Sequence, residues 1–175
     1  MLMGKLEEFK EERAVLYKRV SELDKSIETL ENAQWVFEEG EDIWFVDQFG
    51  NIQWGRWGGQ AWSDVAFIQG HIFKTEKGAR LEAQRRNLLQ RFKMFRNKCN
   101  DGWEPVSGKR CKNSKFFIGY GWNSIDEQYK LKSLELGSSN LFHQFGYFKN
   151  REDCDKAIEL FGDEIKALFV DCEEE

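Results

Sequence analysis

One short segment of this chain occurs twice, and this repeat constrains the fold more than any other feature. Residues 72–76 read Ile-Phe-Lys-Thr-Glu, and residues 147–151 read Tyr-Phe-Lys-Asn-Arg. In each copy a Phe-Lys pair closes an extended apolar segment, and a residue suited to helix capping, Thr75 or Asn150, precedes a helical pattern. The repeat therefore predicts two strand-to-helix junctions, and with them two related modules of a β-hairpin followed by a helix.

The first module begins with a predicted hairpin. Residues 43–47 and 52–54 are β-prone segments that flank the turn residues Phe-Gly-Asn at 49–51. An apolar run over residues 65–73 is predicted to extend up to the first junction. A helix is then expected over residues 76–96, because its apolar residues recur on one stripe.

The second module repeats this plan with three predicted strands, over residues 115–122, 128–136 and 141–149. Asn150 is predicted to cap the closing helix. Asp153, three residues later, gives a start that resembles a capping box.

The N-terminal segment has the most regular apolar period. Its apolar residues alternate spacings of three and four between charged flanks, which is the pattern of a parallel two-stranded coiled coil. Arg13 interrupts this apolar seam at one position. A polar residue in such a seam fixes the register of the two helices. The predicted dimerisation residues are Leu6, Phe9, Leu16, Val20, Leu23, Ile27 and Leu30. The alternative is one amphipathic helix lying on its own domain, although the stripe is narrower than such helices usually show.

These patterns together predict the class α+β, with a long N-terminal coiled-coil helix followed by two small antiparallel β-sheet-plus-helix modules. The predicted boundaries are residues 1–40 for the coiled-coil helix, 41–97 for the first module, 98–114 for a linker and 115–175 for the second module. The linker is polar, lacks either period and contains the only proline of the chain.

Charge is strongly segregated along the chain, although the net charge is only −5. Residues 1–40 carry 6 basic and 10 acidic side chains, residues 74–115 carry 13 and 4, and residues 150–175 carry 3 and 10. The acidic ends can neutralise the basic middle, within one chain or across a dimer. Alternatively, the basic middle meets an external anion.

The sequence predicts a cytosolic protein with no membrane association. No apolar run approaches the length that crosses a bilayer, and the first ten residues lack the apolar core of a signal peptide. The four cysteines, Cys99, Cys111, Cys154 and Cys172, form no Cys-x-x-Cys pair and are predicted to be reduced thiols. Neither a metal nor a cofactor is expected.

Candidate contact residues lie in residues 54–62, which hold three Trp and three Gly. Because Trp and Arg dominate the energetics of interfaces, we predict that a protein partner is bound by Trp54, Arg56, Trp57 and Trp62.

The helix over residues 76–96 offers an alternative. Nucleic acid, or the phosphate of a signalling nucleotide, would contact its cations while tryptophans stack on the bases. The candidates are Arg80, Arg85, Arg86, Arg91, Lys93 and Arg96.

Catalysis has no support in the sequence, and we expect no enzyme. A nucleophilic triad needs a positioned histidine, and the only two, His71 and His143, lie in strand-like segments. The glycines at 55–59 lack the Gly-Lys-Ser/Thr ending of a phosphate-binding loop.

Residues 44–52 and 70–76 together resemble a motif of small phage and prophage accessory proteins: an aromatic strand, Asp, a turn Gly, and then Gly-x-x-Phe-Lys-Thr before a helix. Residues 115–118, 148–150 and 157–164 are similar to the second half of those proteins. The resemblance covers residues 41–170, but Gly-Ala at positions 78–79 departs from the usual Glu-Glu-Ala of the first helix.

The resemblance implies a phage accessory protein, a class that commonly acts against host defence. We therefore expect a non-catalytic homodimer in the host cytoplasm that inhibits a host factor by protein–protein contact, as an anti-CRISPR or other anti-defence protein does. The alternatives are a nucleic-acid-binding accessory protein or a sponge that sequesters a signalling nucleotide.

Overall fold

The computed structural model describes residues 2–58, 61–105, 114–137 and 143–172, except the side chains of residues 2–4, 30 and 32–35. Within these ranges the chain is α+β, with four helices and two small antiparallel sheets, which confirms the predicted class. It divides into two compact units, Met1–Arg80 and Leu81–Glu175. No helix of the described part is both long and apolar enough to cross a membrane.

The first unit contains a long helix, a three-stranded sheet and a short helix. Its elements are α1 (Leu2–Val36), β1 (Asp42–Val46), β2 (Ile52–Arg56), α2 (Ala61–Ile68), β3 (Ile72–Phe73) and the first turn of α3 (Glu76–Asn100). The second unit contains the rest of α3 and a long hairpin with a closing helix. These elements are β4 (Lys115–Asn123), β5 (Gln128–Leu136) and α4 (Arg151–Phe169).

The sheet of the first unit has the order β2-β1-β3, with every pair antiparallel. Side chains alternate between the two faces of a strand, so Ile43 and Phe45 share the inner face, and Ile72 joins them opposite Phe45. The core on this face consists of Phe37, Ile43, Trp57 and Ile72, with Phe45, Ala66 and Phe67 packed against it.

Residues 61–68 form helix α2, so the prediction of an extended run over residues 65–73 is wrong for its first half. The side chains that turn inward, Ser63, Ala66 and Phe67, recur at helical spacing. Gly70 ends the helix with a φ of 66°, while the His71 amide donates to the Ala66 carbonyl at 2.8 Å. This Schellman-type end returns the chain to an extended path for β3.

In the second unit β4 and β5 pair in register from Lys115 opposite Leu136 to Asn123 opposite Gln128. The predicted third strand over residues 141–149 is wrong within residues 143–149, where only Phe148 forms a bridge, to Phe116. Gly146 has a φ of 70° and its amide donates to the His143 carbonyl, so the chain turns just before the bridge. Residues 141 and 142 lie outside the described residues.

The core of the second unit joins α3, α4 and the sheet. Its fully buried side chains include Leu88 and Phe92 from α3, Phe148, and Ile165 from α4. The domain boundary predicted at residues 97 and 98 is therefore wrong, because the apolar stripe of α3 from Leu81 onward belongs to this core. α3 also continues to Asn100, which shortens the predicted linker, and residues 106–113 lie outside the described residues.

The two repeated segments occupy equivalent places. Phe73 lies opposite Trp44 and Phe148 lies opposite Phe116, so each pairs antiparallel with the first strand of its own hairpin, and a helix follows at once. The caps differ: the Thr75 hydroxyl accepts a hydrogen bond from the Gly78 amide at 3.0 Å. The Asn150 side chain makes no capping bond with the backbone and donates to Asp153 instead.

Candidate protein-binding surfaces

The apolar seam of α1 is exposed. Its described side chains retain between 48% and 63% of their accessible surface. They are Leu6, Phe9, Leu16, Val20, Leu23 and Ile27. The side chain of Leu30 lies outside the described residues. Residues 5–28 are exposed throughout, except for partial burial at Ser26, so over this length α1 does not lie on its own domain.

Trp57 does not belong to a contact surface. It is 8% exposed, and its ring lies 5.2 Å from the ring of Phe37 and 5.4 Å from that of Phe67. Its backbone extends the β1–β2 ladder, since its amide donates to the Glu41 carbonyl at 2.8 Å. The prediction that Trp57 is a contact anchor is therefore wrong, because its indole holds the end of α1 against α2.

Trp54 and Arg56 do share a surface. They are two positions apart on β2, and both are exposed on the face opposite the core. Trp54 pairs with Trp44, which in turn pairs with Phe73, so an aromatic row crosses the sheet on this outer face. Arg56 forms an exposed ion pair with Asp42 at 3.7 Å beside the row. We call this surface, composed of these five residues, the outer aromatic face.

Trp62 lies on the other side of the sheet. Its ring centroid is 4.8 Å from that of Phe45, and a Cβ on Gly55 would come within 3.2 Å of the indole. Gly55 therefore provides the space in which the indole lies against the strand. Since Trp62 packs on the inner face, it does not join Trp54 in one contact site.

The cations of α3 are mostly engaged within their own units. Arg85 donates to the Leu168 carbonyl and Arg96 to the Phe145 carbonyl, both at 2.8 Å. Carboxylates pair with three of the others: Glu76 with Arg80, Glu82 with Arg86 and Glu164 with Arg91. Lys93 is exposed. The six predicted phosphate-binding residues are thus divided among structural roles and do not form one continuous basic strip.

An exposed aromatic cluster on the β4–β5 hairpin was missed at the sequence level. Tyr120, Trp122 and Tyr129 lie on one face, with the Tyr120–Tyr129 ring centroids 5.8 Å apart and the Trp122–Tyr129 centroids 5.3 Å apart. All three are exposed. We call these residues the aromatic hairpin. The alternation of aromatic residues with Gly119 and Gly121 along β4 was the signal that could have revealed it.

Asp47 organises the turn between β1 and β2. Its Oδ1 accepts hydrogen bonds from the amides of Asn51 and Phe49, each at 2.8 Å. These bonds, led by that from the Asn51 backbone, lower the pKa of Asp47 because they stabilise the charged form.

We expect the turn to weaken in acid. A carboxyl with a depressed pKa stabilises the folded state above the ordinary Asp value of about 3.9, and this contribution is lost as the pH falls through the lower, folded value. The Phe49 and Asn51 amide shifts should titrate in NMR spectra with a midpoint below the ordinary value. The transition should be absent in Asp47→Asn. A midpoint at or above the ordinary value would contradict the role of this turn.

Burial affects two further titratable groups, Cys154 and His143. Burial raises the pKa of the Cys154 thiol to about 11, so it stays protonated, and Cys111 lies outside the described residues. The ring of His143 lies 4.0 Å from that of Phe117, and burial lowers the pKa of this histidine. Among the described residues, no group of three or more His, Cys, Asp or Glu side chains could hold a metal ion.

The geometry thus defines an α+β protein of two sheet-containing units with several exposed apolar surfaces. No protein-family model, curated protein or solved structure matches this chain.

Proposed function

We propose that this chain is a non-catalytic binding protein, dimeric through α1, that inhibits a host protein by direct contact. The observation that carries this proposal is the exposure of large apolar side chains on regular helices and strands, because such patches mark interaction sites. The resemblance to phage accessory proteins supports a host defence factor as the target, as for an anti-CRISPR or other anti-defence protein in the host cytoplasm.

The seam of α1 supports a parallel homodimer. Fully burying a Leu, Ile or Val side chain contributes about 1.5–3 kcal/mol, and each described seam side chain has roughly half of its surface left to bury. In a parallel pair, Arg19 of one helix faces Asp24 of the other, which adds an attractive charge contact at the flank. A second copy of α1 is therefore the partner that fits this seam.

Replacing two seam residues, Leu16→Glu with Leu23→Glu, is expected to convert the dimer into a 20.7 kDa monomer. Two buried carboxylates on each helix would face one another across the seam, and their desolvation opposes association. Sedimentation equilibrium measures the change. The matched control is Val15→Glu, because Val15 is 67% exposed but lies off the seam and its variant should remain dimeric.

Neither Leu16 nor Leu23 contributes to the described cores, so near-ultraviolet circular dichroism, which reports the packing of the aromatic cores, should be the same in the double variant as in the wild type. A wild-type chain that sediments as a monomer, or a double variant that remains a dimer, would contradict the coiled-coil proposal.

The outer aromatic face is the surface we assign to the target. The Trp54 indole, 54% exposed, is the anchor, and the Arg56–Asp42 ion pair forms a polar edge of mixed charge beside it. An exposed Trp with a polar rim is the arrangement typical of an interface hot spot. The fitting partner is a folded protein with an apolar pocket for the indole and polar groups of both signs around it.

The test begins with capture of partners from a host lysate and identification by mass spectrometry. The purified partner is then titrated with three forms of the chain: wild type, Trp54→Ala and Trp122→Ala. Trp122 is 52% exposed on the aromatic hairpin and provides a matched control. We expect Trp54→Ala to weaken binding by about 30-fold or more, the size of a hot-spot loss, while Trp122→Ala binds like the wild type.

The absence of a specific partner would contradict the proposed function. A partner whose affinity is unchanged by Trp54→Ala but reduced by Trp122→Ala would transfer the contact to the aromatic hairpin and refute the assigned surface.

A further inference from the structure

A cleft of about 420 Å³ lies within the second unit, at the end of α3. Its volume is in the range of about 300–1,000 Å³ that is typical of small-molecule sites. The residues that form its walls include Arg96, Asn97, Asn100, Trp103, Glu104 and Tyr147. A smaller cavity of about 260 Å³ shares Trp103 and Glu104 as lining residues, so the two cavities adjoin at the indole.

The end of α3 creates this cleft. Asp101 and Gly102 adopt φ angles of 45° and 76°, which end the helix and turn the chain back on itself. The Trp103 amide then donates to the Asn100 carbonyl at 2.8 Å, which keeps the indole near the helix end. The Asn100 side chain, in turn, donates to the Tyr147 carbonyl at 2.9 Å and so fixes the opposite wall.

Arg96 supplies an oriented cation. Its Nη1 donates to the Phe145 carbonyl at 2.8 Å and its Nη2 to Asn97 Oδ1 at 3.1 Å. Gly146 provides the necessary space, because a Cβ there would overlap Nη1. A guanidinium has five N–H donors, so others remain for a ligand.

No carboxylate of the described residues forms an ion pair with Arg96 (the described ion pairs of α3 use its other arginines). Burial also lowers the pKa of Arg96, which means that the charge is partly removed from water without a compensating anion. An anionic ligand would supply that compensation, because charge-assisted hydrogen bonds to guanidinium are strong and directional.

We propose that this cleft binds a small ligand that combines a flat aromatic base with a single phosphate, namely a purine nucleoside monophosphate. Trp103 stacks on the base, Arg96 binds the phosphate, and Glu104 accepts hydrogen bonds from base N–H groups. The negative charge of Glu104 disfavours additional phosphates near it. Nucleotide binding in this cleft is separate from inhibition of a protein target. Of the six cations predicted from the sequence to bind phosphate, it uses only Arg96.

Isothermal titration calorimetry of the full chain with GMP tests the proposal, with AMP, guanosine and inorganic phosphate as further probes. We expect GMP or AMP to bind at least tenfold more tightly than guanosine or phosphate, because the nucleotide engages both the ring and the anion site. Arg96→Gln and Trp103→Ala should each weaken nucleotide binding about tenfold or more. The matched control is Lys93→Gln, an exposed cation of the same helix, which should bind normally.

Trp103→Ala keeps the test valid if loss of the Arg96 bond to Phe145 unfolds the other variant, and thermal melts report folding in each case. Failure of both nucleotides to bind at millimolar concentration would overturn the proposal. Equal affinity for phosphate alone, or normal nucleotide binding by Trp103→Ala, would also overturn it. None of these outcomes depends on the protein target.

Discussion

Replacing Phe92 with alanine is expected to lower the free energy of unfolding of the second unit by about 3–5 kcal/mol. Phe92 is 1% exposed, and its ring centroid lies 4.9 Å from that of Phe145, 5.8 Å from that of Phe148 and 5.4 Å from that of Phe161. Truncation removes buried apolar surface, leaves a cavity and abolishes these aromatic pairs. Since the free energy of unfolding of a domain is only about 5–15 kcal/mol, this single change should remove much of the stability of the second unit.

Urea denaturation followed by circular dichroism measures the loss. Met94→Ala is the matched control, because Met94 lies two residues further along the same helix and is 64% exposed. Its variant should unfold within about 0.5 kcal/mol of the wild type. A Phe92→Ala variant that loses less than about 1 kcal/mol would show that this aromatic core does not determine the stability of the unit.

The second large effect is expected in the first unit, where Trp57→Ala should also lower the free energy of unfolding by about 3–5 kcal/mol. The indole is the centre of a cluster with Phe37 and Phe67, whose rings lie 5.9 Å apart with their planes at 89°. Its removal would detach the end of α1 from α2. Thermal and urea denaturation of the variant measure the effect.

Trp54→Ala is the control for this prediction, since Trp54 lies on the same strand region with 54% exposure and should change stability by less than about 1 kcal/mol. Comparison of these two variants also distinguishes an effect on folding from an effect on binding. We expect Trp57→Ala to lower target affinity because it destabilises its unit, and Trp54→Ala to lower it while stability is retained. Equal stability losses in both variants would contradict the division of this tryptophan segment into core and surface.

Much of the fold could be predicted because its signals are local. The first hairpin was predicted from β-prone residues around the turn at Asp47, whose side chain accepts hydrogen bonds from the turn amides. The two junctions were predicted from a Phe-Lys pair followed by a capping residue, and in both a helix begins at the residue directly after the cap. The long first helix was predicted from the regular spacings of three and four between its apolar residues.

The predictions that were wrong concern features that tertiary contacts determine. Residues 61–68 are apolar enough for either a strand or a helix, and packing of Ala66 and Phe67 on the core selects the helix. The apolar stripe of α3 predicts that one side of this helix is buried, but it does not predict which sheet covers that side. The helix was therefore assigned to the first module, whereas its apolar residues belong to the core of the second unit. Trp57 and Trp54 have the same local composition, and only the face of the strand on which each lies distinguishes them.

The candidate contact residues are distributed over the sheet for the same reason. Residues 54–62 are unusually rich in tryptophan, but their three tryptophans divide between the outer face, the core and the inner edge of one sheet. The aromatic hairpin was overlooked because Tyr129 is separated by a turn from Tyr120 and Trp122 and meets them only through the β4–β5 register.

The exposure of residues 5–28 has a consequence for valency. In the described side chains the first core residue is Phe37, so the greater part of α1 can be exchanged without removing a core contact. A trimeric or tetrameric coiled-coil sequence placed there would present three or four copies of the outer aromatic face on one particle. Avidity would then increase through effective concentration alone, while each face kept its own affinity.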